Sequence, residues 1–248
     1  MSIQSQPQFS QQIGRENYVL ANHGALTLQH KRGPIIELFP TAIIEPIRHM
    51  ITQCIYRGKL PHRLSIISAM QEEGVTFISR AMAASLAHDT GRSVCIVDLN
   101  WWSPNEKSTK LLNDHPGITD ILYNKVSLND ALVKTTNPYL DMLLPGGVDP
   151  RQRPILSRDT KLADLLTQLS EQFDHLLLDI PAIKSTSDSI ALASLGDSCC
   201  MVVRHGATSS NVVGQVLSEV EHIPIMGVLM NRVDNKTPKW IQNVIPQN

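Results

Sequence analysis

The segment from Ser68 to Thr76 has the residue order of a phosphate-binding loop between a strand and a helix. In a working P-loop, glycines let backbone N–H groups approach the phosphates. A lysine before the Ser/Thr meets the β- and γ-phosphates, and the hydroxyl binds magnesium. Gly74 and Thr76 are retained here, but Val75 occupies the lysine position. Glu72 stands where a glycine would allow close approach. Both substitutions oppose the binding of a highly charged anion.

Two aspartates further along the chain end apolar runs and belong to the same predicted site. Asp98 closes the run 93–98, and Asp179 closes the run 173–179. Acids at the carboxyl ends of parallel strands, beside a strand–loop–helix turn, are typical of a magnesium-phosphate site in an α/β sheet. Turns also favour Asp, so either acid alone has a structural explanation. The three features in this order favour the phosphate site.

The elements around these motifs alternate between strand and helix. An Ala-rich run free of Pro and Gly follows Thr76 and ends at Gly91, which predicts a helix with a glycine C-cap. Apolar runs predict strands at 64–70, 93–98, 140–144, 173–179, 198–203 and 225–230, and further helices at 161–172, 187–195 and 210–221. Such alternation builds a mostly parallel sheet, so we expect a three-layer, doubly wound α/β domain of P-loop NTPase type.

The N-terminal part predicts a tail, an arm and a helix. The first dozen residues are rich in Gln and Ser, which is typical of a flexible tail, and the apolar run 35–39 between two prolines predicts an extended arm. Pro46 is a favourable first helical residue, followed by an apolar stripe that includes Ile47 and Ile51. The expected division is 1–41 for tail and arm, 42–235 for the P-loop-like domain and 236–248 for a C-terminal tail.

Composition excludes several classes of protein. With 248 residues, 42% of them hydrophobic, the chain can bury one large core, and a net charge of −1 gives no reason to expect nucleic acid as a partner. The four cysteines and nine histidines lack ligand spacing, so we expect reduced core thiols and no metal site. No apolar run is long enough for a bilayer span and no signal pattern begins the chain. A cytoplasmic location is expected, at the inner face of the membrane only through a partner.

Taken in order, these motifs resemble the landmarks of the bacterial tyrosine kinases of capsule and exopolysaccharide synthesis, which are built on a MinD/ParA-like P-loop fold. The resemblance covers roughly residues 42–233 and includes three further segments, at 117–122, 143–147 and 226–233. It implies an ATP and magnesium site, with Asn231 near the adenine. The residues that it places there are Ser68, Gly74, Thr76, Asp98, Asp179 and Asn231.

The chain departs from this family where phosphate would bind. Glu72 and Val75 replace a glycine and the lysine, whereas Glu73 matches a common family residue but adds a second carboxylate beside the site. Asn100 replaces the second acid of the first acidic motif, and Ala182 replaces a proline after the second. The phosphate donor site is therefore expected to be impaired.

The acceptor is missing as well. Family members end in a tyrosine cluster that neighbouring subunits phosphorylate, whereas the segment 235–248 contains no Tyr. The resemblance thus implies a catalytically inactive, pseudokinase-like component that regulates or scaffolds bacterial exopolysaccharide or capsule synthesis and export and requires no cofactor.

Two alternatives stay open. Because Thr76 and both acids remain, the chain is alternatively an active tyrosine autokinase or ATPase whose phosphate-binding cation is Arg80, Lys107 or an arginine of a neighbouring subunit. Retention of the same residues leaves open weak binding of ATP or ADP with magnesium. A MinD/ParA-type positioning ATPase is the more remote alternative, because 117–154 follows the kinase landmarks.

Two further groups of residues concern partners. Trp101 and Trp102 replace a polar or basic pair near the cleft rim, where they either pack on the domain or anchor a partner. Glu45 and Arg48 match part of the motif through which family kinases form rings, although Ile51 replaces a second arginine. The resemblance implies a transmembrane polysaccharide co-polymerase or chain-length protein, or an active kinase of the same system, as partner, and leaves a homo-oligomer open.

Overall fold

The computed structural model describes residues 25–101 and 115–233, and a seven-stranded sheet forms their centre. The nine strands of the described chain are β1 (Leu26–Gln29), β2 (Ile35–Phe39), β3 (Arg63–Ser68), β4 (Val94–Asp98), β5 (Leu132–Lys134), β6 (Leu140–Leu143), β7 (His175–Asp179), β8 (Ser198–Arg204) and β9 (Ile225–Asn231). The large sheet has the order β5-β6-β4-β7-β3-β8-β9, in which only β5 runs antiparallel to its neighbour. The strands β1 and β2 form a separate antiparallel hairpin.

Helices cover both faces of this sheet. They are α1 (Thr41–Tyr56), α2 (Val75–Thr90), α3 (Ile118–Leu122), α4 (Leu128–Ala131), α5 (Arg153–Leu156), α6 (Thr160–Gln172), α7 (Asp188–Ala193) and α8 (Ser210–Glu219). Successive residues of β7 alternate between two apolar clusters: Leu176 and Leu178 face α3, α6, α7 and α8, whereas Leu177 faces α1 and α2. The three-layer, mostly parallel α/β fold predicted from the sequence is therefore confirmed.

The N-terminal elements differ in detail from the prediction. Helix α1 begins at Thr41 rather than at Pro46, because Pro40 takes the N-cap position and its carbonyl accepts the amides of Ile43 and Ile44. Pro46 therefore lies inside the helix, where it has no N–H to donate to the carbonyl of Ala42. The predicted arm at 35–39 is the second strand of a hairpin whose first strand was missed. Residues 1–24 and 234–248 lie outside the described residues, so both predicted tails stay predictions.

Helix α1 is part of the domain core. Ile47 and Ile51 are buried against α2, as expected if the apolar stripe packs within the chain. Arg48 adds a polar clamp: its guanidinium donates to both carboxylate oxygens of Asp89 at 2.9 and 3.2 Å and to Glu45 at 2.9 Å. The stripe and the clamp together fix α1 along α2.

The sequence also led us to expect reduced core cysteines, no membrane-spanning helix and no metal site. Cys95, Cys199 and Cys200 are buried in β4 and β8, and burial raises the pKa of Cys200 to about 12. Within residues 25–101 and 115–233, no helix is both long and apolar enough to cross a membrane, and no cluster of His, Cys, Asp or Glu is arranged to hold a metal ion.

We expect Ile47→Ala to lower the free energy of unfolding by about 2–4 kcal/mol, because it leaves a cavity between α1 and the core. Thr52→Ala, an exposed position of the same helix, serves as the control and should stay within about 0.5 kcal/mol of the parent. Urea denaturation of the three proteins measures both values. Equal stability of the two variants would mean that α1 is not anchored as described.

Candidate nucleotide site

The loop between β3 and α2 keeps the backbone shape of a phosphate-binding loop. Glu72 and Gly74 both have left-handed conformations, with φ of 63° and 97°. A Cβ at Gly74 would lie 2.2 Å from Nδ2 of Asn231, so glycine is required there. The left-handed region costs a side-chain-bearing residue about 1–2 kcal/mol, which Glu72 bears. Glu72 therefore differs from the expected glycine in its side chain only, because its backbone has the left-handed conformation that glycine favours.

Glu73 anchors this loop from within. Its side chain is 1% exposed and accepts the amide of Met70 at 2.8 Å, the amide of Arg204 at 3.1 Å and the hydroxyl of Thr208. Glu73, predicted to place a second carboxylate beside the phosphates, lines the cavity above this loop, and its carboxylate is satisfied by these hydrogen bonds. No sequence signal links positions 73 and 208.

Asn231, expected near an adenine, also contacts the loop. Its Nδ2 donates to the carbonyl of Glu73 at 2.9 Å, and its Oδ1 accepts the amide of Arg232 at 2.8 Å. Both polar ends of the side chain are therefore used within the protein. Asn231 joins the end of β9 to the loop.

A cavity of about 290 Å³ opens above the loop. Ser68, Gly74 and Thr76, which the family resemblance placed at the nucleotide, line it together with Glu72, and Arg232 is the one cation among its described lining residues. The residues that line it are Ser68, Met70, Gln71, Glu72, Glu73, Gly74, Val75, Thr76, Phe77, Asn100, Ile180, Ala182, Ser185 and Arg232. Sequence reasoning missed Arg232, because nothing in the sequence signals that the chain turns back over the loop after β9.

The cations proposed from the sequence do not lie in this cavity. Arg80 is 2% exposed and is not among the residues that line the cavity, because its side chain is buried in the domain. Lys107 lies outside the described residues. Val75, at the lysine position, is 8% exposed and belongs to the apolar cluster under α2.

The two predicted acids lie side by side. Asp98 and Asp179 are register partners at the ends of β4 and β7. The hydroxyl of Thr76 donates to Asp179, and the amide of Asn100 donates to Oδ1 of Asp98 at 3.0 Å. These contacts bring together the first residues of α2 and the two acid-ended strands, as the sequence predicted.

Burial controls the ionisation of this acid pair. Desolvation, followed by the charge of Asp98, raises the pKa of Asp179 to about 8, against smaller lowering effects of Thr76 and Arg80. Desolvation also raises the pKa of Asp98, while Arg80 and the amide of Asn100 oppose the rise. Oδ1 of Asp179 is buried and accepts no hydrogen bond from the described residues. The two carboxyls therefore hold a proton between them near neutral pH.

The site contains oxygen ligands of the kind that magnesium prefers, whereas the groups that bind a triphosphate are replaced. The hydroxyl of Thr76 and the carboxylates of Asp98 and Asp179 are hard oxygen ligands, and one carboxylate oxygen has no other partner. Glu72 and Val75 line the cavity in place of the glycine and the lysine that would favour phosphate binding. The residues at this position are therefore less favourable for a nucleoside triphosphate than a glycine and a lysine would be.

The residues assigned to partner contacts lie in different places. Trp101 is 3% exposed and packs in the core cluster that contains α3 and α6, so it cannot serve as a surface anchor. The sequence could not show which member of an adjacent Trp pair faces inward, and Trp102 lies outside the described residues. Arg48 donates to Asp89 and to Glu45 within the chain, and a ring contact through Glu45 and Arg48 stays a prediction.

Known proteins with related sequences are tyrosine kinases and a polysaccharide transport protein, although no protein-family model matches the chain. The tyrosine-protein kinase CpsD of Streptococcus agalactiae is 25% identical over 188 residues, which cover 75% of this chain and 81% of that protein. The succinoglycan biosynthesis transport protein ExoP of Rhizobium meliloti is 27% identical over 177 residues, which cover 69% of this chain but 22% of that longer protein.

Solved structures of the same fold agree with this likeness. The kinase domain of Escherichia coli tyrosine kinase ETK superposes with a TM-score of 0.67 at 20% identity, covering 79% of each chain. The septum site-determining protein MinD of Pyrococcus horikoshii, solved with Mg-ADP, gives a TM-score of 0.57 at 23% identity, covering 76% of this chain and 79% of that one. At these identities the structures establish the fold alone, which is that of the P-loop NTPases.

The acid pair generates a prediction about pH. Because the folded protein holds a proton that the unfolded chain releases, stability should fall as the pH rises from mildly acidic toward about 8. Asp179→Asn removes this effect, so near pH 8 it should raise the free energy of unfolding by about 1 kcal/mol or more, or about 2–4 °C in Tm. The gain should shrink in mild acid.

Asp174, whose pKa is lowered rather than raised in the folded protein, provides the control. The side chain and the amide of Ser93 donate to Asp174 and lower its pKa, so Asp174→Asn should lower the Tm under the same conditions. Thermal melts across this pH range measure both variants. An Asp179→Asn protein that melts at or below the parent near pH 8 would contradict the buried, protonated pair.

Proposed function

We propose that this chain, a homologue of the bacterial tyrosine kinases, is a catalytically inactive member of that group that regulates or scaffolds exopolysaccharide or capsule synthesis and export. The observation that carries the proposal is the loop itself. Its backbone keeps the phosphate-binding shape, while Val75 and Glu72 put an apolar group and an anion where a cation and a glycine are needed. The fold is preserved and the phosphate chemistry is removed.

Among the described residues, the cavity has little of the positive charge that a phosphate donor site requires. Phosphoryl transfer depends on positioning and on cations that stabilise the charge developing on the transferred group. Arg232 is the one cation among the described lining residues, and the carboxylate of Glu72 lines the same cavity. Asp98 and Asp179 hold a proton between them near neutral pH, which weakens them as magnesium ligands.

The tyrosines that could accept a phosphoryl group do not form a cluster among the described residues. Tyr56, Tyr123 and Tyr139 are exposed, but they lie on α1, after α3 and before β6, at separate places on the domain. Tyr18 lies outside the described residues, and the segment 234–248 has no Tyr. The given residues therefore include no tyrosine cluster of the kind that neighbouring subunits phosphorylate.

The place of the protein in a polysaccharide system is inferred from its relatives. One relative is named a succinoglycan biosynthesis transport protein and another a tyrosine-protein kinase. We propose as partner a transmembrane polysaccharide co-polymerase or chain-length protein, or an active kinase of the same system, which would hold the chain at the inner face of the membrane. Because Trp101 is buried, this proposal rests on the relatives and not on the Trp pair.

A second candidate function is weak nucleotide binding without transfer. Arg232 lines the cavity, the loop keeps its shape, and Thr76 with the two acids forms a set of oxygen ligands. ADP with magnesium requires less positive charge than ATP, so it is the better ligand for such a site. In that case the nucleotide would be a structural ligand.

We expect the purified protein to show neither ATP hydrolysis nor self-labelling with phosphate. Loss of the lysine removes a charge-assisted contact of about 1.5–3 kcal/mol, before repulsion by Glu72 is counted. Phosphotyrosine blotting after incubation with ATP and magnesium, and calorimetric titration with ATP and with ADP, measure transfer and binding separately. Robust phosphotyrosine would refute the proposed inactivity, whereas binding of ADP without labelling would support the second candidate.

The loop shape generates a repair prediction. Glu72→Gly together with Val75→Lys should increase affinity for ATP with magnesium by at least about tenfold, because an ion pair and the removal of an anion each contribute about 1 kcal/mol or more. Val75→Lys alone should gain less, since Glu72 still faces the phosphates. Glu72→Gly alone is the matched control, and its left-handed backbone conformation predicts that it folds without loss of stability. A folded double variant that binds no better than the parent would show that the loop shape is insufficient.

A further inference from the structure

Arg80 is a buried cation that neither the phosphate site nor the packing of α2 explains. It is 2% exposed and is among the largest fully buried side chains of the described residues. Its Nη1 makes no hydrogen bond to a described residue and lies 3.7 Å from Oε2 of Glu37 on β2. Burial of an arginine is costly unless opposite charge surrounds it. The charges that compensate for it must therefore lie close by.

Three carboxylates on three elements provide this charge. Arg80 lies one helical turn after Thr76, whose hydroxyl donates to Asp179, and α2 packs on both β4 and β7. The side chain of Arg80 is therefore buried on the side of α2 that faces these strands, and its charge acts on Asp98 and on Asp179. Glu37 completes the group from the N-terminal hairpin. Two buried atoms of opposite charge, Nη1 of Arg80 and Oδ1 of Asp179, have no hydrogen-bond partner among the described residues.

We propose that Arg80 is a built-in counter-ion of the acid pair Asp98/Asp179, supplying from within the fold the positive charge that magnesium would bring and thereby keeping magnesium out. A guanidinium is permanently charged and has no need of a ligand to hold it. A divalent ion placed beside it would meet a like charge at short range in a medium of low dielectric constant. The proposal extends the proposed inactivity from the phosphates to the metal, and it rests on that function only in assuming that no nucleotide is needed.

The test uses the full chain, without nucleotide, melted in EDTA or in millimolar magnesium chloride. We expect magnesium to leave the Tm of the parent unchanged. Arg80→Met should lower the Tm in EDTA by about 6 °C or more, because a buried carboxylate group loses its compensating charge. Magnesium should then restore a measurable part of that loss. Arg80→Lys, which keeps the charge, should melt closer to the parent and gain less from magnesium.

A matched control separates charge balance from general destabilisation. Arg63→Met removes an arginine from the opposite end of β3, where its side chain donates to Ser170 and Thr167. This variant should be destabilised, but magnesium should not restore it. Asp179→Asn should raise the Tm more in the Arg80→Met background than in the parent, since it removes a charge that has lost its partner. Arg80→Met/Asp179→Asn should fold even if Arg80→Met alone does not.

The outcomes that overturn the proposal are distinct from those that refute the proposed function. Magnesium stabilisation of the parent would show that the metal enters with Arg80 in place. Equal effects of Asp179→Asn in both backgrounds, or a double variant that stays unfolded, would show that Arg80 is needed for packing and not for charge. Phosphotyrosine formation tests the proposed inactivity in a separate assay. A protein that forms phosphotyrosine but whose Tm does not depend on magnesium would refute the proposed function without contradicting the counter-ion role of Arg80.

Discussion

Two carboxylates at the ends of adjacent strands set the constraint on which the site depends. Asp98 and Asp179 are register partners, so the sheet holds the two residues side by side. In a low-dielectric interior, like charges this close cannot both be held without compensation. The fold compensates with a shared proton, with the hydroxyl of Thr76 and with the charge of Arg80. The arrangement of α2 over β4 and β7 follows from this requirement as well as from apolar packing.

The loop above the acids illustrates how shape and chemistry can be separated. Glu73 and Asn231 tie the loop to β8 and β9 through contacts that involve no phosphate. These contacts hold the left-handed backbone at Glu72 and Gly74 in place, so the loss of a glycine and a lysine need not collapse the turn. On the function proposed for this chain, the loop keeps its shape without a phosphate ligand because its anchors lie on the strands behind it.

The sequence predicted the layers of the fold because buried parallel strands are continuous apolar runs and the helices between them have clear periodicity. It missed β1 and β5, which are short and carry few apolar residues. At the site it predicted that Thr76, Asp98 and Asp179 meet, since all three occupy the same edge of a parallel sheet.

The direction of individual side chains was beyond the reach of sequence reasoning. The carboxylate of Glu73 accepts hydrogen bonds at the end of β8, Trp101 points into the core, and Arg232 returns over the loop. Each of these directions depends on which long-range partner is nearest, and no local pattern carries that information. Arg80 is the clearest case, because a lone arginine in an Ala-rich helix is expected to be exposed.

The substitutions in and below the loop act in one direction. Val75 removes a cation that faces the phosphates, Glu72 adds an anion there, and Arg80 instead brings a buried cation whose charge acts on the acid pair. A nucleotide-driven switch needs a site whose charges are completed only by its ligand, because the ligand can shift an equilibrium only by its differential affinity for the two states. If Arg80 balances the charge of the acid pair as proposed, the site does not need a ligand to complete its charges. The binding free energy of a nucleotide would then be too small to drive a conformational change. A P-loop fold balanced in this way suits a component of fixed shape, whose surfaces rather than its cavity determine what it does.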